Sequence, residues 1–216
     1  MRHNGKGLSL AQQERQALCD LLHDLGPDAP TLCAGWRSAD LAAHLVVRDR
    51  RPDSIPGAVL RLNVLQGWTK RVRDGVRDTL TWDELLAQLR AGPPAPIRPL
   101  DAAVNTIEFF VHHEDVRRAQ PGWEPRALAD EVEAQLWERL KAMSIGIRLL
   151  SSLGRQPPAS RAEVPGRPPI VLVSQRGLGR SPSSRPTVLK GQASEVVLWV
   201  MGRQSAARVE HLEVAG

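Results

Sequence analysis

The chain has no tyrosine, only two phenylalanines and two cysteines, and lysine only at Lys6, Lys70, Lys141 and Lys190. Each scarcity excludes something. Six tryptophans must carry most of the aromatic packing, and no stripe of alternating aromatic and basic residues is present to stack nucleobases, so a nucleic-acid partner is not expected. Cys19 and Cys33 are too few to staple 216 residues and read as buried, reduced thiols of a cytoplasmic protein. No apolar run reaches membrane-spanning length, and residues 1–7 lack the apolar stretch of a signal peptide, so no membrane partner is expected either. With so little lysine, arginine supplies nearly all the positive side of a formal charge of +5. It is interleaved with acids, as in Arg48-Asp49-Arg50-Arg51 and Arg71-Val72-Arg73-Asp74, the pattern of an ion-paired helix surface.

What is present is mostly helical texture. Ser9 to Leu25 carries apolar residues at Leu10, Leu18, Leu21, Leu22 and Leu25, and Gly26-Pro27 stops it. A second helix follows Ser38, a candidate N-cap, with Asp40 in its positively polarised first turn, and ends near Pro52. A third is expected over residues 58–78. Thr81-Trp82-Asp83-Glu84 is a capping box opening a short helix to about Arg90. A proline-rich linker spans Gly92 to Pro99, Asp101 opens the next helix, and a last long one runs from about Pro125 to Leu153. Beyond Leu153 the chain turns rich in Gly, Pro, Ser and Arg. Strands are expected at Ile170–Val173, Pro186–Leu189 and Arg208–Val214, with a helix at Ala193–Met201. The expected division is therefore a helical unit over 1–153 and a small α+β unit over 154–216, marginal alone at that size.

The chemistry-bearing residues are His44, in Asp40-Leu-Ala-Ala-His44, and the pair Glu108 and His112, in Glu108-Phe-Phe-Val-His112. Residues four apart leave one face of a helix a turn apart. Two imidazoles and a carboxylate around one point suit a divalent metal such as zinc, with a coordination position left open. Glu108 stands between Ile107 and Phe109-Phe110-Val111, where an unpaired carboxylate is costly and a cation offsets that cost. The plain alternative is a hydrogen-bonded structural histidine and a surface ExxxH contact. His113 is the competing ligand, rotated off the Glu108 face. Glu114 and Asp115 read as solvent-facing partners for Arg117 and Arg118, with support of a ligand imidazole as the second possibility. Arg48, one turn after His44, is placed either to reach the metal cavity or to pair with Glu108 or another acid.

Gly35-Trp36-Arg-Ser-Ala-Asp40-Leu-Ala-Ala-His44-Leu-Val, together with Asn105-Thr-Ile-Glu108-Phe-Phe-Val-His112-His113-Glu114-Asp115-Val-Arg-Arg118, resembles the DinB-like superfamily. The closest resemblance is to the actinobacterial branch around mycothiol-dependent maleylpyruvate isomerase. Residues 187–203, Thr187-Val-Leu-Lys-Gly191 through Trp199-Val-Met-Gly202-Arg203, are similar to that branch's small C-terminal domain, and Trp123 and Trp137 match an actinobacterial metal-binding subfamily. The resemblance implies a mainly α fold, a DinB-like four-helix bundle with a small C-terminal α+β domain. It also implies zinc, or else nickel, held by His44, Glu108 and His112. An important arginine of the C-terminal domain falls on Arg203, whose other reading is a cap on the preceding helix.

The chemistry the resemblance implies is thiol activation. A low-molecular-weight thiol, mycothiol, would be held as thiolate at an open metal site and attack a small electrophile, for isomerisation or S-transfer, with Arg48 and Arg203 receiving anionic groups. The expected assembly is a monomer or homodimer. Two other classes remain open at this point: a metal-binding sensor or stress protein without catalysis, and a helical interaction module in which a His44–Glu108 hydrogen bond replaces the metal.

Overall fold

The computed structural model describes residues 7–50, 74–95, 98, 101–151, 159–173 and 187–213. These form a mainly helical protein with one small four-stranded sheet. The elements are α1 (Leu10–Leu25), α2 (Ser38–Arg50), α3 (Trp82–Ala91), α4 (Asp101–Arg117), α5 (Asp130–Ser151), β1 (Ala159–Glu163), β2 (Ile170–Val173), β3 (Thr187–Lys190), α6 (Ala193–Val200) and β4 (Glu210–Glu213). Residues 74–79 are also helical; the rest of the helix expected over 58–78 lies outside the described residues. No described helix is long and apolar enough to cross a membrane.

The chain divides into two compact units at 124/125. The change of composition at 153/154 does not mark that division. α5 packs on α6 and β2, so this long helix belongs with the sheet although its sequence texture matches the helices before it.

In the first unit, local signals set the helix ends. Ser9 Oγ accepts from Gln12 N at 3.3 Å while Gln12 Oε1 takes the Ser9 N–H at 2.9 Å, a complete capping box. Thr81 and Glu84 do the same for α3, as the sequence predicts. Ser38 is not an N-cap: it is the first residue of α2, and its hydroxyl donates to Ala29 O at 3.3 Å. Asp40 supplies that end instead, its Oδ2 accepting the Arg37 N–H at 3.0 Å. Gly26 and Gly92 terminate α1 and α3 at φ +79° and +71°, where a side chain would be strained. The apolar faces of the four helices meet in one core that includes Leu18, Leu22, Leu41, Leu45, Leu89 and Phe109.

A buried polar cluster crosses this core. Arg15 of α1 donates to both oxygens of Asp101 at 2.8 Å and to Asp49 at 3.0 Å, and lies 4.2 Å from the Phe109 ring centroid. Asn105 Nδ2 donates to Asp101 at 2.8 Å and Asp49 at 3.2 Å. The buried pair Glu14–His113, at 2.6 Å, ties α1 to α4 a second time.

In the second unit the strand order is β2-β1-β3-β4, with β1 antiparallel to β2, parallel to β3, and β3 antiparallel to β4. Val171, Arg161, Val188 and Leu212 form one row across the sheet. Ala162, Leu189, Ile170 and Leu172 face the other way and are buried. β1 falls in the Gly-, Pro-, Ser- and Arg-rich stretch, ahead of the first strand expected from sequence. The buried Glu133 of α5 caps α6, accepting from Ser194 N at 2.8 Å and Ser194 Oγ at 2.7 Å. α5 begins at Asp130 rather than Pro125, and β3 and β4 fall within one or two residues of expectation at most ends.

Candidate metal centre

His44 comes from the middle of α2, and Glu108 and His112 from successive turns of α4. Glu108 Oε1 lies 3.3 Å from His44 Nε2 and 3.3 Å from His112 Nε2. The two imidazole rings stand edge to face with centroids 5.3 Å apart. One donor atom from each of the three residues lies within 4.8 Å of the other two. Donors at zinc bond lengths in a tetrahedral shell are separated by roughly 3.3–3.6 Å, so two edges of this triangle already have the size of a coordination face. A single His44–Glu108 hydrogen bond would not require a second imidazole nitrogen on the same carboxylate oxygen.

The surroundings hold each group in place. Phe109, Phe110 and Val111 are buried beside Glu108, as their sequence predicts. Arg48 lies on the same face of α2 as His44, its Nε 3.6 Å from Glu108 Oε1 and 3.3 Å from Asn105 Oδ1. Both alternatives weighed for Arg48 are thus one arrangement: it reaches the site by pairing with Glu108. Through Asn105 it also joins the Arg15–Asp49–Asp101 cluster, so the Glu108 carboxylate ends a chain of polar contacts that begins on α1.

His112 stands between two carboxylates. Its Nδ1–H donates to Asp115 Oδ2 at 2.8 Å, opposite the Nε2 that faces Glu108. The sequence reading of Asp115 as solvent-facing is overturned, since Asp115 is fully buried. This is the carboxylate–histidine arrangement that fixes the tautomer and direction of a metal-ligating ring. Glu114 is buried too, and pairs with Arg118 as expected, at 2.5 Å, while the Arg118 guanidinium lies 4.9 Å from the Trp123 ring centroid. His113 points away, to Glu14.

The electrostatics follow from this enclosure. Burial favours the neutral form of Glu108, but hydrogen bonds from His112 and His44, with the charges of His112 and Arg48, hold it well below the usual carboxylate range. Burial likewise opposes charge on His112, yet the bonds to Asp115, Cys33 and Glu108 hold it well above the usual imidazole range. His44 is depressed, chiefly by burial, only partly opposed by Glu108. Both shifts favour opposite charges on Glu108 and His112, and a cation on Nε2 would take the place of the His112 proton there.

Cys33 stands beside this candidate site, a placement that sequence reasoning missed. It is half-buried, its Sγ–H donating to Asp115 Oδ2 at 3.2 Å with His112 Nδ1 at 3.9 Å. Its loop is pinned to α4 by Leu32 N–H to Asp115 O at 3.0 Å, and Trp36 from the same loop places its ring 5.2 Å from the His44 ring. Cys19 is fully buried, with its thiol pushed up to about 11, chiefly by burial.

Arg203 lies in the second unit, where its Nη1 donates to Met201 O at 2.6 Å, the helix-capping arrangement at the C-terminus of α6. Trp137 is buried in the same unit.

Compared with family models, curated proteins and solved structures, the chain matches none.

Proposed function

We propose that the first unit is a DinB-like four-helix bundle that binds one divalent metal, zinc or else nickel, through His44 Nε2, Glu108 and His112 Nε2. We further propose that it uses the metal to activate a low-molecular-weight thiol such as mycothiol. The observation that carries the reading is the convergence of two imidazole nitrogens from different helices on one carboxylate oxygen inside an apolar wall. Three protein ligands leave a coordination position for an exogenous group, and a cation there lowers a thiol's pKa to favour the thiolate at neutral pH.

The chain's own residues then have distinct tasks. Asp115 holds His112 so that Nε2 faces the centre. Arg48 places a fixed positive charge beside Glu108, suited to a carboxylate on the electrophile. The thiolate adds to the electrophilic carbon of a conjugated double bond. In an isomerisation the former double bond rotates in the adduct and re-forms as the thiolate leaves. In an S-transfer the new carbon–sulfur bond stays and the adduct carbanion takes a proton from solvent. Arg203, as an α6 cap, is assigned no part in binding.

Metal analysis of the purified wild type and His44→Ala tests the metal assignment. The wild type should hold one equivalent at this site and the variant should lose it; equal content in both refutes the assignment. Incubating the loaded protein with mycothiol and a panel of small electrophiles tests the chemistry. No consumption of thiol leaves a non-catalytic metal-binding protein.

A further inference from the structure

His112 faces a second set of donors on its other side. Cys33 Sγ, His112 Nδ1 and Asp115 Oδ2 form a triangle with edges of 2.8, 3.2 and 3.9 Å. Each offers one ligand atom within the span of a single ion. His112 and Asp115 are one turn apart on α4, and Cys33 reaches them from the α1–α2 loop, so the set is tertiary rather than a run of neighbours. Asp115 is fully buried and His112 nearly so, while Cys33 is half-buried.

We propose that this cluster is a second cation site, selective for a thiophilic divalent ion such as zinc, and that His112 bridges it to the first. The reading rests on the first centre only in that both use His112. A carboxylate supporting a metal-bound histidine needs no thiol beside it. Here a thiol lies within 4 Å of both the carboxylate and the imidazole nitrogen, and thiolate, imidazole and carboxylate together are a zinc-type donor set. Filling the second site releases the Cys33 thiol proton and the His112 Nδ1 proton to solvent, so binding there releases more protons than binding at the first centre alone.

The test uses the full chain, stripped of metal, kept reduced, and titrated with cobalt(II), which substitutes for zinc and shows a charge-transfer band only when thiolate is a ligand. The wild type should bind two equivalents, with the thiolate band present at saturation. Cys33→Ser should bind one equivalent with no thiolate band, and His44→Ala should lose the first equivalent yet keep the band. One equivalent in the wild type, with no thiolate band at excess cobalt, overturns the proposal and leaves the first centre standing. A thiolate band in the wild type with no effect of His44→Ala on stoichiometry would overturn the first centre instead. The wild-type spectrum decides the matter even if a variant fails to fold.

Discussion

Replacing Asp49 by asparagine should stabilise the protein at neutral pH even though it removes half of a buried ion pair. Arg15 is shared between Asp49 and Asp101, whose side chains are only 1% and 4% exposed, so one cation faces two enclosed carboxylates. Burial raises Asp49 most; the Arg15 charge opposes this in part, and the Asp101 charge adds to it, leaving the carboxyl near 6 instead of 3.8. An acid whose folded value is raised holds a proton that the unfolded chain has lost. Its contribution to stability therefore falls as pH rises from about 4 to about 6 and stays low above that. A rise from 3.8 to about 6 corresponds to about 3 kcal/mol, a large share of the roughly 5–15 kcal/mol that holds a typical domain folded. An asparagine side chain at this position would keep the shape without the charge. Urea unfolding at a series of pH values should show Asp49→Asn close to wild type near pH 4 and more stable by about 3 kcal/mol at pH 7. Asp101 supplies the opposite sign. Burial would raise it, but the hydrogen bonds of Arg15 and Asn105 outweigh that and lower it. Its contribution is present above its ordinary value and lost as pH falls through the folded one, so Asp101→Asn should destabilise at pH 7. Parallel pH profiles for wild type and Asp49→Asn would refute the reasoning.

Two further outcomes are expected. Asp115→Ala should weaken metal binding by about 10- to 100-fold, the usual effect of removing the partner of a ligating histidine; chelator competition reads this directly, and unchanged affinity contradicts the role given to Asp115. Gly92→Ala should cost about 1–3 kcal/mol, because φ is +71° and an added Cβ would stand 3.0 Å from Arg15 Nη1; thermal unfolding checks it, and a neutral result would mean the α3 terminus relaxes freely.

Local rules made much of this structure legible. The Thr81–Glu84 box, the stops at Gly26 and Gly92, and the four-residue spacing of Glu108 and His112 depend on neighbours in sequence, and each appears where the pattern puts it. Several of the errors share one cause, which is partners far away in the chain. Asp115 looked like a surface acid because Arg118 follows it, whereas Leu32 and Cys33, some eighty residues earlier, draw it inside. The Arg15 cluster joins residues 86 apart, which no helical period reports. Ala159–Glu163 has little strand propensity of its own and becomes a strand between β2 and β3, two neighbours that complete its hydrogen bonding. Glu133 capping α6 is another case, a helix end closed by a side chain from the preceding helix.

The loop between α1 and α2 braces both histidines at once, Trp36 against His44 and Cys33 through Asp115 against His112. It works as a yoke: neither imidazole can swing out without dragging the segment that restrains the other. Release of an ion held between the two histidines should therefore be an all-or-none event rather than a stepwise shedding of ligands. A single cut in the peptide chain between residues 31 and 36 would loosen both braces together, leaving every ligand in place in the sequence.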